Sequence, residues 1–310
     1  MPGADGHLQL TRTAIGKLER NAHSFLLPVR KPVMTAKSDE TMQPLVRVRN
    51  LVKHYSKKRL VRSGEEVRAL DGVSFSIFRG TTLAIVGESG SGKSTLALCL
   101  ACLESPTSGN ISFEETDLSG LKEKDRRAIR LEVQLIFQDP ANSFNPRWSV
   151  LEILTEPLVL QGHLRFDGMH SCAQALLEQV GLSPHLGEKL PSELSGGQRQ
   201  RLAIARALAL RPKLLILDEA LSALDCSVQA QIANLLMELQ ASLGMTYLFI
   251  SHDLAMAAHL ADEIAVMSRG QIVEQGAPEE ILRHPGNRIT GELLAAVFRL
   301  DVSRSPLAES

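Results

Sequence analysis

Short apolar runs punctuate the chain at wide intervals. Thr81 to Val86 (TTLAIV), Val133 to Phe137 (VQLIF), Leu214 to Leu217 (LLIL) and Thr246 to Ile250 (TYLFI) are uninterrupted by charge. Runs of this length, too short for helices, read as strands buried on both faces. Elsewhere the pattern alternates. Val46 and Val48 alternate with Arg47 and Arg49, which predicts an edge or half-buried strand. Val73, Phe75 and Ile77 alternate with serines and lead to a turn at Arg79-Gly80. Ile111-Ser112-Phe113 reads as a short strand after the turn Pro106 to Gly109, and Lys57 to Glu66 as a basic loop. Ile264 to Met267 and Gln271 to Glu274 flank Arg269-Gly270 and predict a hairpin. A third pattern has helical spacing. Ala173, Leu176, Leu177 and Val180 share one face, as do Val228, Ile232, Leu235, Leu236 and Leu239. Further helices are expected over Leu96 to Leu103, over the charged stretch Leu121 to Leu131, and from Arg199 to Leu210, where Pro212 closes the run. Asn142 to Arg147 is loop-like, and residues 138 to about 211 read as a mostly helical insertion.

Composition narrows the classes of function. With 310 residues, 44% of them hydrophobic, the chain is long enough for one large domain or two smaller ones. A net charge of -1 and 4% aromatic residues argue against nucleic acid as a partner. No apolar run reaches the length of a membrane span, and the first residues lack the continuous apolar stretch of a secretory signal. Any work at a membrane is therefore expected to go through partner chains. Cys99 and Cys102 form a C-x-x-C pair, but inside an apolar helix they read as small buried hydrophobes. Together with Cys172 and Cys226 they suit a reduced, cytosolic protein. Residues 1–43 show no periodicity and are expected to be a poorly ordered extension; Met1, Met34 and Met42 are all candidate starts.

The chemistry lies where the buried strands end. Gly87-Glu88-Ser89-Gly90-Ser91-Gly92-Lys93-Ser94-Thr95 fits G-x-x-x-x-G-K-[ST], with an apolar strand before it and an apolar helix after it. Glycines let backbone N–H groups curl around phosphate oxygens, and the helix N-terminus adds partial positive charge. Lys93 can reach the β- and γ-phosphates of a nucleotide, and Ser94 can offer its hydroxyl to Mg²⁺. The run Leu214 to Leu217 ends in Asp218-Glu219, a strand that carries a carboxylate toward a metal. Adjacent on a strand, the two side chains would point to opposite sides: Asp218, which continues the buried strand, suits Mg²⁺, and Glu219, at the strand end, can turn toward the attacking water.

Leu194-Ser195-Gly196-Gly197-Gln198 is the most specific piece. With the P-loop, Asp218-Glu219, Gln138 and His252 in order, the chain resembles the nucleotide-binding subunits of ATP-binding-cassette transporters, from about Leu45 to Pro285. The resemblance implies an α/β fold: a P-loop NTPase core with a mixed sheet, an N-terminal antiparallel β subdomain and an inserted α-helical subdomain. It implies an ATPase domain over 44–285 and a C-terminal tail over 286–310. By the same resemblance Tyr55 would stack on adenine, and residues 87 to 95 would bind ATP. Gln138 would sense Mg²⁺ and the attacking water, beside Ser94 and Asp218 as metal-side residues. Glu219 would act as base and His252 would hydrogen-bond the γ-phosphate. Ser195, Gly196, Gly197 and Gln198 would bind the ATP of an opposing subunit, and Asp225 would lie at that dimer interface. The implied cofactors are ATP and Mg²⁺. The implied partners are a second ATPase subunit, identical or different, two permease subunits and indirectly a substrate-binding protein. The implied place is the cytoplasmic face of the cell membrane.

Gln138-Asp139-Pro140, Asn145-Pro146-Arg147, Leu217 to Gln229 and the region around His284-Pro285 resemble the oligopeptide, dipeptide and nickel importer branch. Many peptide-type members carry a cysteine cluster after the His-Pro segment. This chain has no cysteine beyond Cys226, which excludes an iron–sulfur cluster there and moves weight toward nickel- or metal-type members. The rivals are an exporter ATPase and a soluble cassette ATPase of DNA repair, chromosome structure or translation. Long heptad insertions, zinc cysteines or a second cassette would mark the soluble kinds, and none is present in the sequence.

Overall fold

The computed structural model describes residues 43–56 and 66–303. The expectations for residues 1–42, for the start site and for most of the loop 57–66 fall outside the described residues. The chain divides into two compact units. Among the described residues, one contains 43–138, 212–222 and 236–303, and the other contains 139–211 and 223–235.

The larger unit holds two sheets. The antiparallel sheet comprises β1 (Val46–Ser56), β2 (Glu66–Ile77), β4 (Ser108–Phe113) and β5 (Thr116–Asp117), in the order β2-β1-β4-β5. The alternation at Val46 and Val48 holds, with both side chains buried. The strand is not at an edge, however: Val48 pairs with Phe75 on one side and Ile111 on the other. Arg47 and Arg49 sit on the exposed face, so the alternation reports the two faces of the sheet and not its border.

The second sheet has the order β10-β9-β3-β8-β7-β6. Its members are β3 (Thr82–Val86), β6 (Val133–Ile136), β7 (Leu214–Asp218), β8 (Thr246–Ser251), β9 (Glu263–Ser268) and β10 (Gln271–Gly276). β9, β3, β8, β7 and β6 run parallel, and β10 returns antiparallel at the edge. β3, β7 and β8 are buried at every residue, the reason they read as unbroken apolar runs. β6, at the other edge, is only half covered, and Phe137 just after it is exposed. One apolar cluster joins Val48, Phe75 and Ile111 of the first sheet to Ile85, Ile216 and Ile250 of the second. Leu96 and Leu100 of helix α1 (Lys93–Leu100) belong to it, as do Cys99 and Cys102. Burial pushes the Cys99 thiol up to about 11 and raises Cys102 in the same direction, as expected of unreactive core thiols. The charged stretch that follows forms α2 (Glu123–Glu132).

The smaller unit is helical. α3 (Val150–Leu160) starts on a capping box between Ser149 and Glu152. α4 (Met169–Gln179) buries Ala173, Leu176 and Leu177, and Val180 at its end is buried too. α5 (Gly196–Leu208) packs against both. Arg206 Nη2 meets Glu156 Oε2 of α3 at 2.7 Å, and Arg201 Nη1 donates to the Val180 carbonyl at 2.6 Å. α6 (Cys226–Leu243) begins in this unit and ends in the larger one. The remaining helices, α7 (Leu254–Leu260), α8 (Pro278–Arg283) and α9 (Arg288–Ser303), belong to the larger unit. No helix among the described residues is long and apolar enough to cross a membrane.

Candidate functional site

The glycine loop is set by close backbone neighbours. A Cβ on Gly87 would lie 2.1 Å from the Met267 carbonyl oxygen of β9. A Cβ on Gly92 would lie 2.2 Å from the Ala69 carbonyl oxygen of β2. Gly92 also has φ +106, a conformation L side chains rarely adopt. The loop closes on itself and on the hairpin beyond. Ser91 N donates to the Glu88 carbonyl at 3.2 Å, and Gly270 N donates to the Ser91 carbonyl at 2.9 Å. Glu88, Ser89 and Gly90 are exposed at the mouth, while Ser91 is buried. α1 begins at Lys93, three residues earlier than the apolar run implied, because the polar Ser94-Thr95 occupy its first turn. Its first N–H groups therefore open into the loop.

Lys93 is 4% exposed. Its ammonium donates to the Gly87 carbonyl at 2.8 Å and the Glu88 carbonyl at 2.9 Å. Glu219 Oε1 stands 3.9 Å from the same nitrogen. Burial pushes the Lys93 ammonium below its ordinary value, with Glu219 and Asp218 opposing. Asp218, the last residue of β7, accepts from Ser94 Oγ at 3.2 Å. Its carboxyl is raised by burial, against the Ser94 hydrogen bond, with Glu219 adding to the rise and Lys93 opposing it. Glu219 departs from the sequence expectation. β7 stops at Asp218, and Glu219 takes φ +48 in the left-handed region. The separation of the two carboxylates comes from this turn and not from strand alternation. Its N–H donates to the Ile250 carbonyl at 2.9 Å, and its Oε2 lies 3.7 Å from His252 Nδ1.

Ser222 is a member of the site that sequence reasoning missed. It donates to the Glu219 carbonyl at 2.9 Å and accepts from Gln138 Nε2 at 3.3 Å. A serine three residues after a turning Glu is a recognisable turn signal. Asp253 was missed likewise: it accepts from Ala255 N and Met256 N, capping α7 and fixing the chain just after His252. Lys93, Ser94, Gln138, Asp218, Glu219 and His252 thus form one connected cluster at the strand ends of the larger unit. Tyr55 lies near the end of β1, exposed.

Ser195, Gly196, Gly197 and Gln198 lie in the helical unit. α5 starts inside this motif at Gly196, not at Arg199, because Ser195 and Gln198 form a capping box that outweighs the helix-breaking tendency of two glycines. Ser195 Oγ accepts from Gln198 N at 3.3 Å, and Ser195 N donates to Gln198 Oε1 at 2.9 Å. A Cβ on Gly196 would make ordinary contact, 3.4 Å from Leu224 Cδ2; one on Gly197 would lie 2.6 Å from Val228 Cγ1. Asp225 caps the start of α6 through Oδ1, which accepts from Val228 N at 2.9 Å and Ser227 Oγ at 2.8 Å.

Comparison with known proteins agrees with this geometry. Residues 70–222 match the ABC transporter family. The chain is 47% identical to the oligopeptide transport ATP-binding protein OppD of Mycobacterium tuberculosis over 84% of its own length. It spans 43% of that longer relative. Among solved structures, cbiO1 from Clostridium perfringens, part of the ABC transporter complex cbiONQ, superposes with a TM-score of 0.68. It is 30% identical, over 85% of this chain and 96% of that one. The ATP-binding cassette MJ0796, a dimer in a post-hydrolysis state bound to ADP and Pi, gives 0.67 at 29% identity, over 75% and 98%. The dipeptide transport ATP-binding protein DppF of Escherichia coli K12 is 44% identical over 86% of this chain and 80% of its own length. The chain accordingly belongs to the ABC transporter family, among its ATP-binding proteins.

Proposed function

We infer that this chain is the ATP-hydrolysing subunit of an importer for peptide-class cargo, working with separate permease subunits at the cytoplasmic face of the membrane. The observation that carries the reading is the convergence of Lys93, Asp218, Glu219 and His252 on the glycine loop. The names of the relatives OppD and DppF favour peptide cargo. They outweigh the lean toward a metal complex drawn from the missing cysteines.

The phosphates of ATP lie along the loop, where the glycines admit them and the first N–H groups of α1 face them. Lys93 exchanges its two carbonyl acceptors for phosphate oxygens; desolvation in that pocket strengthens the attraction. Ser94 Oγ and Asp218 Oδ1, 3.2 Å apart, are hard oxygen donors of the kind Mg²⁺ takes, and Gln138 would complete that side. When bound, Mg²⁺ neutralises charge spreading over the transferring phosphoryl group. Glu219 orients the attacking water and takes its proton, and His252 contacts the γ-phosphate from the adjacent strand end. A second subunit closes the nucleotide with its own Ser195 to Gln198, so binding drives closure and hydrolysis reopens the pair.

The test is Glu219→Gln, which keeps size and removes the base. ATP affinity should survive while turnover falls by about 10²–10⁴-fold. Asp218→Asn should instead weaken Mg²⁺-dependent nucleotide binding. If the two variants exchange these effects, the roles are reversed.

A further inference from the structure

Lys53 and Tyr55 stand two residues apart on β1, across a shift of its pairing with β2 between Lys53 and His54. The Lys53 ammonium lies over the Tyr55 ring, 4.9 Å from its centroid. It is anchored there from outside the strand: Nζ donates to Glu104 Oε1 at 2.5 Å and to the Ser105 carbonyl at 2.7 Å. The Lys53 side chain is 11% exposed, whereas Tyr55 keeps 37% of its surface open. One face of the ring is thus taken by a tethered cation.

We propose that Lys53 is a positioning residue for the nucleotide: it holds the Tyr55 ring by one face so that the other is presented to a purine base. The proposal rests on the reading of Tyr55 as the adenine platform. An exposed tyrosine on a strand end samples several rotamers, and ordering it on binding costs free energy. A ring fixed beforehand avoids part of that cost. The ammonium also draws on the π density of the face it covers, an attraction worth most when the cation is shielded from water, as Lys53 is. Both anchors, Glu104 and Ser105, follow the C-terminal end of α1. The helix whose first turn holds Lys93 therefore sets the ring as well, through Glu104 and Lys53.

The experiment is equilibrium binding of MgATP and MgCTP to the purified full chain, with the melting temperature of each variant. Tyr55→Ala should weaken ATP binding. Lys53→Met, which keeps the stem and removes the charge, should weaken it about two- to tenfold. The loss for CTP, with its smaller base, should be less, and Lys53→Arg should restore ATP binding. Glu104→Gln, which removes the charge from one of the two anchors without touching β1, should reproduce part of the Lys53→Met loss and stands in for it if that variant does not fold. If Tyr55→Ala weakens ATP binding while Lys53→Met and Glu104→Gln leave it unchanged, the proposal is wrong and Tyr55 keeps its role alone. If the Lys53 variants lower the melting temperature and weaken ATP and CTP equally, Lys53 is only a structural residue. If Tyr55→Ala changes nothing, the platform reading fails and this proposal with it.

Discussion

The two glycine motifs of this chain look alike on paper and are held differently. At Gly87 and Gly92 the nearest obstacles to a side chain are carbonyl oxygens of Met267 and Ala69, closer than any Cβ can approach. Those glycines are required by the fold of this chain alone. At Gly196 and Gly197 the nearest atoms are side-chain methyls of Leu224 and Val228. At Gly196 the fold would accept alanine, and a helix start would gain from it. The chain's own packing therefore does not require glycine at Gly196. On the proposed function, the P-loop is one half of a nucleotide site, and the Ser195 to Gln198 segment would be the half that serves the ATP of a second subunit.

The sharpest way to break this contrast is Gly92→Ala. With φ +106 and a backbone oxygen in the way, it should cost about 3 kcal/mol or more and lower the melting temperature by at least about 6 °C. Nucleotide binding should be lost with it. Gly196→Ala should leave the melting temperature unchanged or slightly raised. In the assembled transporter, however, turnover should fall about tenfold or more, because the added methyl would hold an opposing phosphate away from the N–H groups of the segment. An equal melting loss for both variants would erase the distinction. Ser195→Ala is smaller and mixed. Losing the capping box should cost about 1 kcal/mol, read as about 2–4 °C in melting, on top of any effect on turnover.

The smallest effect tests how far the bracing of the P-loop extends. The hairpin that touches it through Gly270 continues into β10, where Glu274 accepts from Gly286 N at 2.7 Å, Asn287 N at 3.1 Å and the Thr290 hydroxyl. Burial pushes Glu274 up, and the hydrogen bonds from Thr290, Gly286 and Asn287 more than offset it, leaving the carboxyl below its ordinary value. A depressed folded value means stability that is present above the unfolded carboxylate range, near about 4.3, and lost as pH falls through the lower folded value. Glu274→Gln should therefore melt slightly lower than the parent at pH 7, and the gap should close below about pH 4. A gap that persists at low pH would show that the carboxylate charge is not what clasps the C-terminal segment.

Much of the fold and of the site is legible in the amino-acid sequence. The central strands read correctly because parallel strands buried on both faces leave no polar position to confuse them. The P-loop reads correctly because its glycines, lysine and flanks all report one local geometry. Helix starts are misplaced where polar residues precede the apolar run: Lys93 to Thr95 form the first turn of α1, and Ser195 to Gln198 form a capping box. The alternation in β1 reads as an edge or a half-buried strand, and the second holds, because alternation records faces and says nothing of neighbours. Lys53 is invisible as a site residue because its part depends on partners far along the chain, whereas Ser222 and Asp253 carry local turn and capping signals that do not by themselves mark a site. The left-handed Glu219 has no signal at all, since nothing in Asp218-Glu219-Ala220 distinguishes a strand that continues from one that turns.

That turn at Glu219 sets two selections against each other. A backbone at φ +48 favours glycine or asparagine and burdens glutamate by about 1–2 kcal/mol. Ranked by heat resistance, a full set of substitutions at 219 should therefore put Gly and Asn above the native residue. Ranked by ATP turnover, the same set should put Glu alone at the top. On the proposed role of Glu219, drift toward a sturdier protein at this position would run toward a silent one, and glutamate would persist there only while turnover is selected.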